Sequence, residues 1–303
     1  MGDYLAGKTI AVTGAGRGIG RAVALACAAE GAAVVVNDYG VSMDGNEPTS
    51  EVADEVVAEI QAAGGRAAAN AQSVTSMEGG ASIVNTAVES FGRIDGVVCV
   101  AGILRERMLF NMTEEEWDDV LRVHLKGTFT VYRAAAAYFR KAERLGSLVA
   151  FTSGVWALGA VGQPNYAAAK GGIVSFSYSA ALAMARYNVR ANVIAPVART
   201  RMSANVPAEI EEMGDPEDVA PMAVYLLSDE AQNVTGQVYT VVGNKIAVWT
   251  QPKEARAMYA DGRWKPEEIA KRLPSSIKTE PLPFFAMVEG RRAAAAAGER
   301  PNA

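Results

Sequence analysis

Residues that hold metals or form disulfides are scarce in this sequence. Its 303 residues include one histidine and two cysteines, and neither cysteine has a CxxC partner or another metal-ligand spacing. Cys27 and Cys99 both lie in apolar segments, so we interpret them as reduced thiols of a core. The sequence therefore predicts no metal site, and we expect a cytoplasmic protein.

Basic clusters and long apolar runs are also missing. The formal net charge is −5, and no stripe of lysine and arginine is present that could neutralise a nucleic-acid backbone. The longest apolar runs, around Val23 and Val97, are well short of the ~20 residues that span a bilayer. We therefore predict no nucleic-acid partner and no membrane span.

Apolar residues are abundant enough for one large core. They make up 50% of the chain, which supports a single α/β domain and argues against a second full domain in 303 residues. Short apolar runs alternate with helical patterns, which predicts a doubly wound parallel sheet of the Rossmann type. We place this domain at residues 1–245 and treat 246–303 as a C-terminal extension whose end, 291–303, is disordered.

One stretch combines a serine, a tyrosine and a lysine in a pattern suited to carbonyl chemistry. Tyr166 and Lys170 are four residues apart in an Ala-rich segment with a helical pattern, so their side chains share one face. Ionising a tyrosine at neutral pH costs roughly 4 kcal/mol, and a cation about 4 Å away contributes a similar amount. We expect Lys170, helped by a cationic cofactor, to make Tyr166 a usable base. Ser153 follows an apolar run, where the end of a strand would present its hydroxyl to a substrate oxygen.

A glycine-rich turn near the amino terminus predicts a phosphate-binding loop. The apolar run Thr9–Thr13 leads into this turn, and an Ala-rich helical segment follows it. Glycines permit a tight turn and let the backbone approach a pyrophosphate at the start of a helix. The predicted ligand is a dinucleotide, held by Gly14, Gly16, Arg17, Gly18, Ile19 and Gly20.

Asp38 favours one form of that dinucleotide. It ends a second predicted strand, 18 residues after Gly20. A carboxylate there accepts hydrogen bonds from the adenosine ribose hydroxyls and repels a 2′-phosphate, which favours NAD over NADP. Arg17 could contact the 2′-phosphate of NADP and so favour the other cofactor. Because it faces Asp38, we interpret Arg17 instead as paired with that carboxylate or as solvated.

Together these motifs resemble the short-chain dehydrogenase/reductase family, with TGxxxGxG at 13–20 and S-x12-YxxxK at 153–170. Within that family the chain is similar to the (3R)-hydroxyacyl-CoA dehydrogenase and 17β-hydroxysteroid dehydrogenase group, which includes peroxisomal bifunctional enzymes and actinobacterial relatives. The segments that carry this likeness are VVVNDYG (34–40), AGILRERM (101–108), RVHLKGTF (122–129), GQPNYAAAK (162–170) and IAPVARTRM (194–202).

The resemblance implies an NAD-dependent oxidoreductase that interconverts a secondary alcohol and a ketone. It implies a bulky apolar substrate, an acyl-CoA or a steroid, and a homodimer or homotetramer formed through the helices that carry His124 and Tyr166. Further cofactor contacts implied by position are Ser73, Val74, Ala101, Gly102, Pro196 and Thr200. The sequence departs from the family here, because Ser73 replaces an aspartate, Cys99-Val100 replaces two asparagines, and Val197 replaces a glycine.

His124 stands where most of the family has the asparagine of a catalytic tetrad. In one interpretation its ring hydrogen-bonds backbone at a helix distortion and holds a water on the path to Lys170. In the other it relays protons and titrates near neutral pH. We favour the first, because a single histidine inside a helix is more often structural.

Two other functions share some of these motifs. An NADPH-dependent 3-oxoacyl carrier-protein reductase would differ chiefly at Asp38, and a sensor would bind NAD without turnover. The intact Ser153, Tyr166 and Lys170 disfavour a sensor. An apolar substrate pocket is predicted from Val155, Trp156, Leu158, Val161, Met202, Val206 and Met213.

Overall fold

The strands of the first part of the chain coincide with the apolar runs of the sequence. The strands are β1 (Thr9–Thr13), β2 (Ala33–Asn37), β3 (Arg66–Asn70), β4 (Gly96–Cys99), β5 (Gly146–Phe151), β6 (Val189–Pro196), β7 (Val238–Val242) and β8 (Lys245–Val248). They pair in the order β3-β2-β1-β4-β5-β6-β7-β8, and β8 alone among the described strands runs antiparallel to its neighbour. This order confirms the predicted doubly wound sheet.

Helices connect the parallel strands and cover both faces of the sheet. They are α1 (Gly18–Ala29), α2 (Glu51–Ala62), α3 (Met77–Phe91), α4 (Glu114–Leu121), α5 (Gly127–Ala142), α6 (Val155–Leu158), α7 (Pro164–Met184) and α8 (Pro216–Leu227). A ninth described helix, α9 (Pro266–Ser276), starts at the predicted Pro-Glu-Glu sequence. Within the described part of the chain, no helix is long and apolar enough to cross a membrane.

This computed structural model describes residues 2–40, 49–200, 213–277, 282 and 285. The chain divides into two units, Met1–Trp249 and Thr250–Ala303. The predicted pocket residues Met202 and Val206 lie outside the described residues, as does the end of the extension, 291–303.

Alternate residues of each strand pack into two separate cores. Ile10 and Val12 of β1 join a cluster with residues of α1 and α8, whereas Ala11 joins a cluster with residues of α3, α5 and α7. This alternation follows from the period of two along a strand that is buried on both faces. Cys27 lies in the first core and Cys99 in the second, both as free thiols, as predicted.

The chain turns back at the junction between β1 and β4, and this places the site. It adds β2 and β3 on one side of β1, then returns to add β4 on the other side. In open α/β sheets, ligands bind at the carboxyl ends of the strands beside such a junction.

One feature of the fold was not predicted. β8 extends the sheet past Val242, and Trp249 follows it with its Nε1 donating to Thr240 Oγ1 at 2.8 Å. A π-helical turn at Arg122–Lys126 separates α4 from α5, at the position of the helix distortion that the first interpretation of His124 expects.

Candidate active site

The ends of four neighbouring strands surround one large cavity. β1 leads to Gly14, β4 to Ala101 and β5 to Ser153, while β6 ends at Pro196, and all four residues line the cavity. Its volume is about 1020 Å³. Pockets for a single small ligand typically measure about 300–1,000 Å³. The cavity therefore has room for a cofactor and a substrate together.

Nearly all the residues predicted for the site line this cavity. They are Gly14, Arg17, Gly18, Ile19, Gly20, Asp38, Ser73, Val74, Ala101, Gly102, His124, Ser153, Tyr166, Lys170, Pro196 and Thr200. Gly16 is the exception among the described residues, and its N–H donates to Asp38 instead.

The glycine loop fits the pyrophosphate of a dinucleotide. Gly14 has a φ of +63°, and a Cβ there would lie 2.8 Å from the Cα of Ala101, so only glycine suits this turn. α1 begins after Arg17, whose side chain makes no capping hydrogen bond, and no acidic residue occupies its first turn. Uncapped N–H groups at the start of a helix bind phosphate oxygens well.

Two loops meet at the carboxylate of Asp38. The N–H of Gly16 donates to Oδ2 over 2.8 Å, and the N–H of Gly40 donates to Oδ1 over 2.7 Å. The carboxylate is thus fixed at the end of β2, beside the glycine loop. Arg17 is exposed and makes no ion pair with Asp38. Of the two interpretations of Arg17, an ion pair with Asp38 and solvation, only solvation agrees with the structure.

Hydroxyl groups hold the main chain along the floor of the cavity. Thr13 Oγ1 accepts hydrogen bonds from the N–H groups of Val100 and Ala101, at 3.2 and 3.3 Å. Thr130 Oγ1 donates to the carbonyl of Val74 at 2.6 Å. These bonds fix backbone after β4, where the two asparagines usual in the family are missing, and after β3.

Lys170 lies buried beneath Tyr166. Its Nζ is 5.4 Å from the centre of the tyrosine ring and donates to the carbonyl of Phe151 at 2.8 Å. Ser153 follows β5 and lines the same cavity as Tyr166 and Lys170. The structure therefore brings the three residues together at one wall of the cavity.

Burial, more than charge, controls the pKa values of this group. Desolvation raises the pKa of Tyr166 to about 12, although the hydrogen bond from Ser153 opposes the rise. Desolvation also lowers the pKa of Lys170 to about 7. In the protein without a cofactor, desolvation thus dominates the pKa of Tyr166. The lowering expected from Lys170 together with a cationic nicotinamide stays a prediction.

His124 lies in the π-helical turn with its ring against backbone. Its Nε2 is 2.8 Å from the carbonyl oxygen of Ile103 and 3.2 Å from the nitrogen of the same residue. Gly102 leaves room for the ring, since a Cβ there would lie 2.2 Å from His124 Cε1. Burial and then the charge of Lys170 lower the histidine pKa to about 3, so the ring is neutral at physiological pH.

The apolar wall of the cavity is only partly the one predicted. Val155, Leu158 and Met213 line it. Trp156 instead packs edge to face on Trp249, with ring centroids 5.3 Å apart, and Val161 is 64% exposed. The prediction that Trp156 and Val161 line the pocket is therefore wrong for the described cavity, because Trp156 packs on Trp249 and Val161, which follows α6, is exposed.

Comparison with known proteins fixes the family. The model of the family described as "Enoyl-(Acyl carrier protein) reductase" matches residues 14–243. A hydroxyacyl-CoA dehydrogenase of Mycobacterium tuberculosis, ChsB1, is 43% identical over 280 residues, which are 88% of this chain and 87% of that protein. The chain belongs to the short-chain dehydrogenase/reductase family. It is therefore an oxidoreductase that acts on CH–OH groups, and enzymes of this family use nicotinamide cofactors.

Two further comparisons agree with this assignment. The mouse "Peroxisomal multifunctional enzyme type 2" is 43% identical over 231 residues, which are 76% of this chain but only 31% of the mouse protein. A crystal structure of a short chain dehydrogenase from Mycobacterium avium matches with a TM-score of 0.82 and 43% identity, covering 92% of this chain and 98% of that one. The predicted resemblance to hydroxyacyl-CoA dehydrogenases is confirmed at the level of sequence.

Sequence reasoning missed several side chains in this short-chain dehydrogenase/reductase site. Arg105 and Asp119 line the cavity and form an ion pair at 3.5 Å. Asn165 is buried directly before Tyr166. The motif GQPNYAAAK includes Asn165, but its bonding partners are distant in sequence, and no local pattern reveals them.

Proposed function

We propose that this chain is an NAD-dependent dehydrogenase that interconverts a secondary alcohol and a ketone on a bulky apolar substrate, a 3-hydroxyacyl-CoA or a hydroxysteroid. The observation that carries the proposal is the position of Ser153, Tyr166 and Lys170 on the wall of a cavity that also contains the glycine loop. This arrangement lets one substrate carbon face both a cofactor and an acid–base group.

Each of the three residues has a distinct task. A bound nicotinamide would supply hydride transfer and, when oxidised, a positive charge. Ser153 would hydrogen-bond the substrate oxygen and orient it. Tyr166 would donate its proton to that oxygen during reduction and take the proton back during oxidation. Its raised pKa keeps the phenol protonated in the protein without a cofactor.

Lys170 would make the oxidation direction accessible. Its Nζ has three donors when protonated, and the described structure assigns one of them to Phe151. A second cation near Tyr166 would add to the effect of Lys170 and bring the tyrosine pKa down toward the working pH. Lys170 also lines the cavity, where the hydroxyls of a cofactor ribose would accept hydrogen bonds from its remaining donors.

Asp38 supports NAD as the preferred cofactor. Its two oxygens are held by backbone N–H groups but retain lone pairs that ribose hydroxyls would use. A 2′-phosphate in the same place would meet a fixed negative charge. The exposed Arg17 is the feature that favours the second candidate, an NADPH-dependent reductase of acyl carrier-protein thioesters.

The apolar cavity wall and the relatives support an acyl-CoA or steroid substrate. Val155, Leu158 and Met213 offer aliphatic surface beside Ser153. A sugar or another highly polar substrate would bury its hydroxyls against these side chains without hydrogen bonds, which is costly. The name of the M. tuberculosis relative, hydroxyacyl-CoA dehydrogenase, points to the same class of substrate.

Exposed apolar side chains support a homodimer or homotetramer. Phe129 of α5 is 42% exposed, and Leu182 of α7 is 82% exposed. Phe129 also lines a surface groove with Leu121 and Leu125. A second copy that covers these helices would remove this apolar surface from water, and sedimentation of wild type against Phe129→Glu would test it.

The experiment that tests the proposed function is a substrate panel followed at the reduced nicotinamide absorbance band. The purified chain is given 3-hydroxyacyl-CoAs, hydroxysteroids and a hydroxyacyl carrier-protein thioester, each with NAD and with NADP. Reduction of NAD by one of the first two classes is the expected result. Turnover confined to NADP and the carrier-protein substrate would identify the reductase, and cofactor binding without any turnover would identify a sensor.

A further inference from the structure

Asn165 joins the catalytic tyrosine to a distant part of the cavity wall. Its side chain is buried, with 1% exposure. Its Nδ2 donates to the main-chain oxygens of Arg105 and Glu116, at 3.0 and 2.9 Å. Its Oδ1 accepts the N–H of Tyr166 at 2.7 Å. One buried amide thus uses both donors and its acceptor to connect three segments.

The two carbonyls that Asn165 binds lie in the connection between β4 and α4 and in the first turn of α4. Arg105 lines the cavity, and Glu116 forms the capping box that starts α4. A second link runs alongside, because the N–H of Arg107 donates to the carbonyl of Gly162 at 2.8 Å. The start of α7 is therefore attached to this connection at more than one point.

The start of α7 needs such an attachment. Tyr166 lies in the first turn of the helix, where N–H groups have no partner within the helix. The residue before the helix, Gln163, makes no side-chain capping bond. Asn165 supplies the missing acceptor for Tyr166 from inside the turn. Removing its amide would take one hydrogen-bond partner from two part-buried carbonyls and from the N–H of Tyr166.

We propose that Asn165 is a positioning residue for Tyr166. It fixes the first turn of α7 to the β4–α4 connection, so that the tyrosine hydroxyl stays beside Ser153 and Lys170. Hydrogen bonds of a buried amide are directional, and a displacement of about 1 Å at a reacting group can cost about 10²-fold in rate. The inference rests on the proposed function only in assigning proton transfer to Tyr166.

Asn192 provides a matched control in the same chain. It is a buried asparagine of β6 with 0% exposure, and it does not line the cavity. Its Nδ2 donates to the carbonyl of Val234 at 2.7 Å, and its Oδ1 accepts the N–H of Gln237 at 3.1 Å. Asn192→Ala thus removes similar bonds far from Tyr166.

The test compares Asn165→Ala and Asn165→Ser with Asn192→Ala and Asn192→Ser. We expect the Asn165 variants to lower kcat by about 10- to 100-fold, to change the NAD dissociation constant by only a small factor, and to shift the Tyr166-dependent limb of the pH profile. The Asn192 variants should lower the Tm while kcat and the pH profile stay near wild type. Asn165→Ser carries the test if Asn165→Ala does not fold.

Wild-type kcat in the Asn165 variants would overturn the inference. The inference would also be overturned if the variants of both Asn165 and Asn192 lowered kcat in proportion to their loss of Tm, because general destabilisation would then explain the loss of kcat. If the wild type turned over no substrate, the proposed function would fail by itself. Hydrogen exchange at the amide of Tyr166 would still decide, with faster exchange expected for Asn165→Ala and unchanged exchange for Asn192→Ala.

Discussion

The rings of His124 and Tyr166 meet edge to face, with centroids 5.2 Å apart and planes at 83°. The histidine is buried and neutral, and the tyrosine carries the acid–base hydroxyl of the proposed mechanism. A neutral ring edge supports the tyrosine by packing without adding charge to a site where Lys170 is already buried. The geometry therefore favours a structural task for His124, distinct from the proton transfer proposed for Tyr166.

Replacing Tyr166 by phenylalanine tests that chemical task. The ring and its contact with His124 remain, and only the hydroxyl is lost. We expect Tyr166→Phe to lower kcat by about 10²-fold or more, the usual contribution of general acid–base catalysis, while NAD affinity changes by a small factor. Tyr178→Phe, on the same helix, should leave kcat near wild type. A Tyr166→Phe enzyme with more than about a hundredth of wild-type turnover would exclude the assigned role.

Replacing His124 by asparagine tests its structural interpretation. Asparagine is the residue most of the family has at this position, and it retains hydrogen-bonding groups for the backbone of Ile103. We expect His124→Asn to keep most of the wild-type kcat, with an unchanged pH profile between pH 6 and 8, roughly the range in which an ordinary histidine titrates. A collapse of turnover at neutral pH would support the proton relay instead.

The same variant should change how stability depends on pH. The pKa of His124 is about 3 in the folded protein, against an ordinary value of 6.5. On acidification below 6.5 the unfolded chain gains a proton that the folded chain does not, so stability falls toward pH 3 at about 1.36 kcal/mol per unit. By pH 5 the loss is roughly 2 kcal/mol. Urea unfolding from pH 7 to 5 should show this slope in wild type and a shallower one in His124→Asn, and equal slopes would contradict it.

Local patterns predicted much of the fold but little of its fine energetics. The apolar runs that precede Ser153 and the glycine turn predicted strands close to the observed β5 and β1, because both runs are buried on two faces of a parallel sheet. β8 was missed because its residues are mostly exposed and it pairs only with β7. The raised pKa of Tyr166 was missed because desolvation depends on packing from distant segments.

The positions of candidate site residues were more predictable than their contacts. Strand ends and helix starts are local features, so Gly14, Ser153 and Lys170 could be placed at one edge of the sheet. The two bonds that Asn165 donates to Arg105 and Glu116, and the bond from Gly16 to Asp38, join segments far apart in sequence. Such contacts follow from the folded backbone and have no periodic signature.

The two backbone hydrogen bonds that hold the Asp38 carboxylate make the prediction for cofactor choice more specific. Asp38→Ala removes the repulsion of a 2′-phosphate, but it also frees the N–H groups of Gly16 and Gly40. We expect kcat/KM for NAD to fall strongly and kcat/KM for NADP to rise or hold, so that the ratio between them narrows by about tenfold or more. Asp54→Ala, at an exposed position in α2, should leave both values unchanged. An unchanged ratio in Asp38→Ala would show that this carboxylate does not face the ribose.

The central claim is that the cavity oxidises a bulky secondary alcohol with NAD, and one measurement tests it most directly. The wild-type chain is given 3-hydroxyacyl-CoAs of increasing chain length and a hydroxysteroid, with equal concentrations of NAD or NADP, and formation of the reduced cofactor is recorded. We predict turnover with NAD, a kcat/KM well above that for NADP, and a KM that falls as the apolar part of the substrate grows. A preference for NADP, or no turnover of any of these alcohols by protein that binds NAD, would contradict the account.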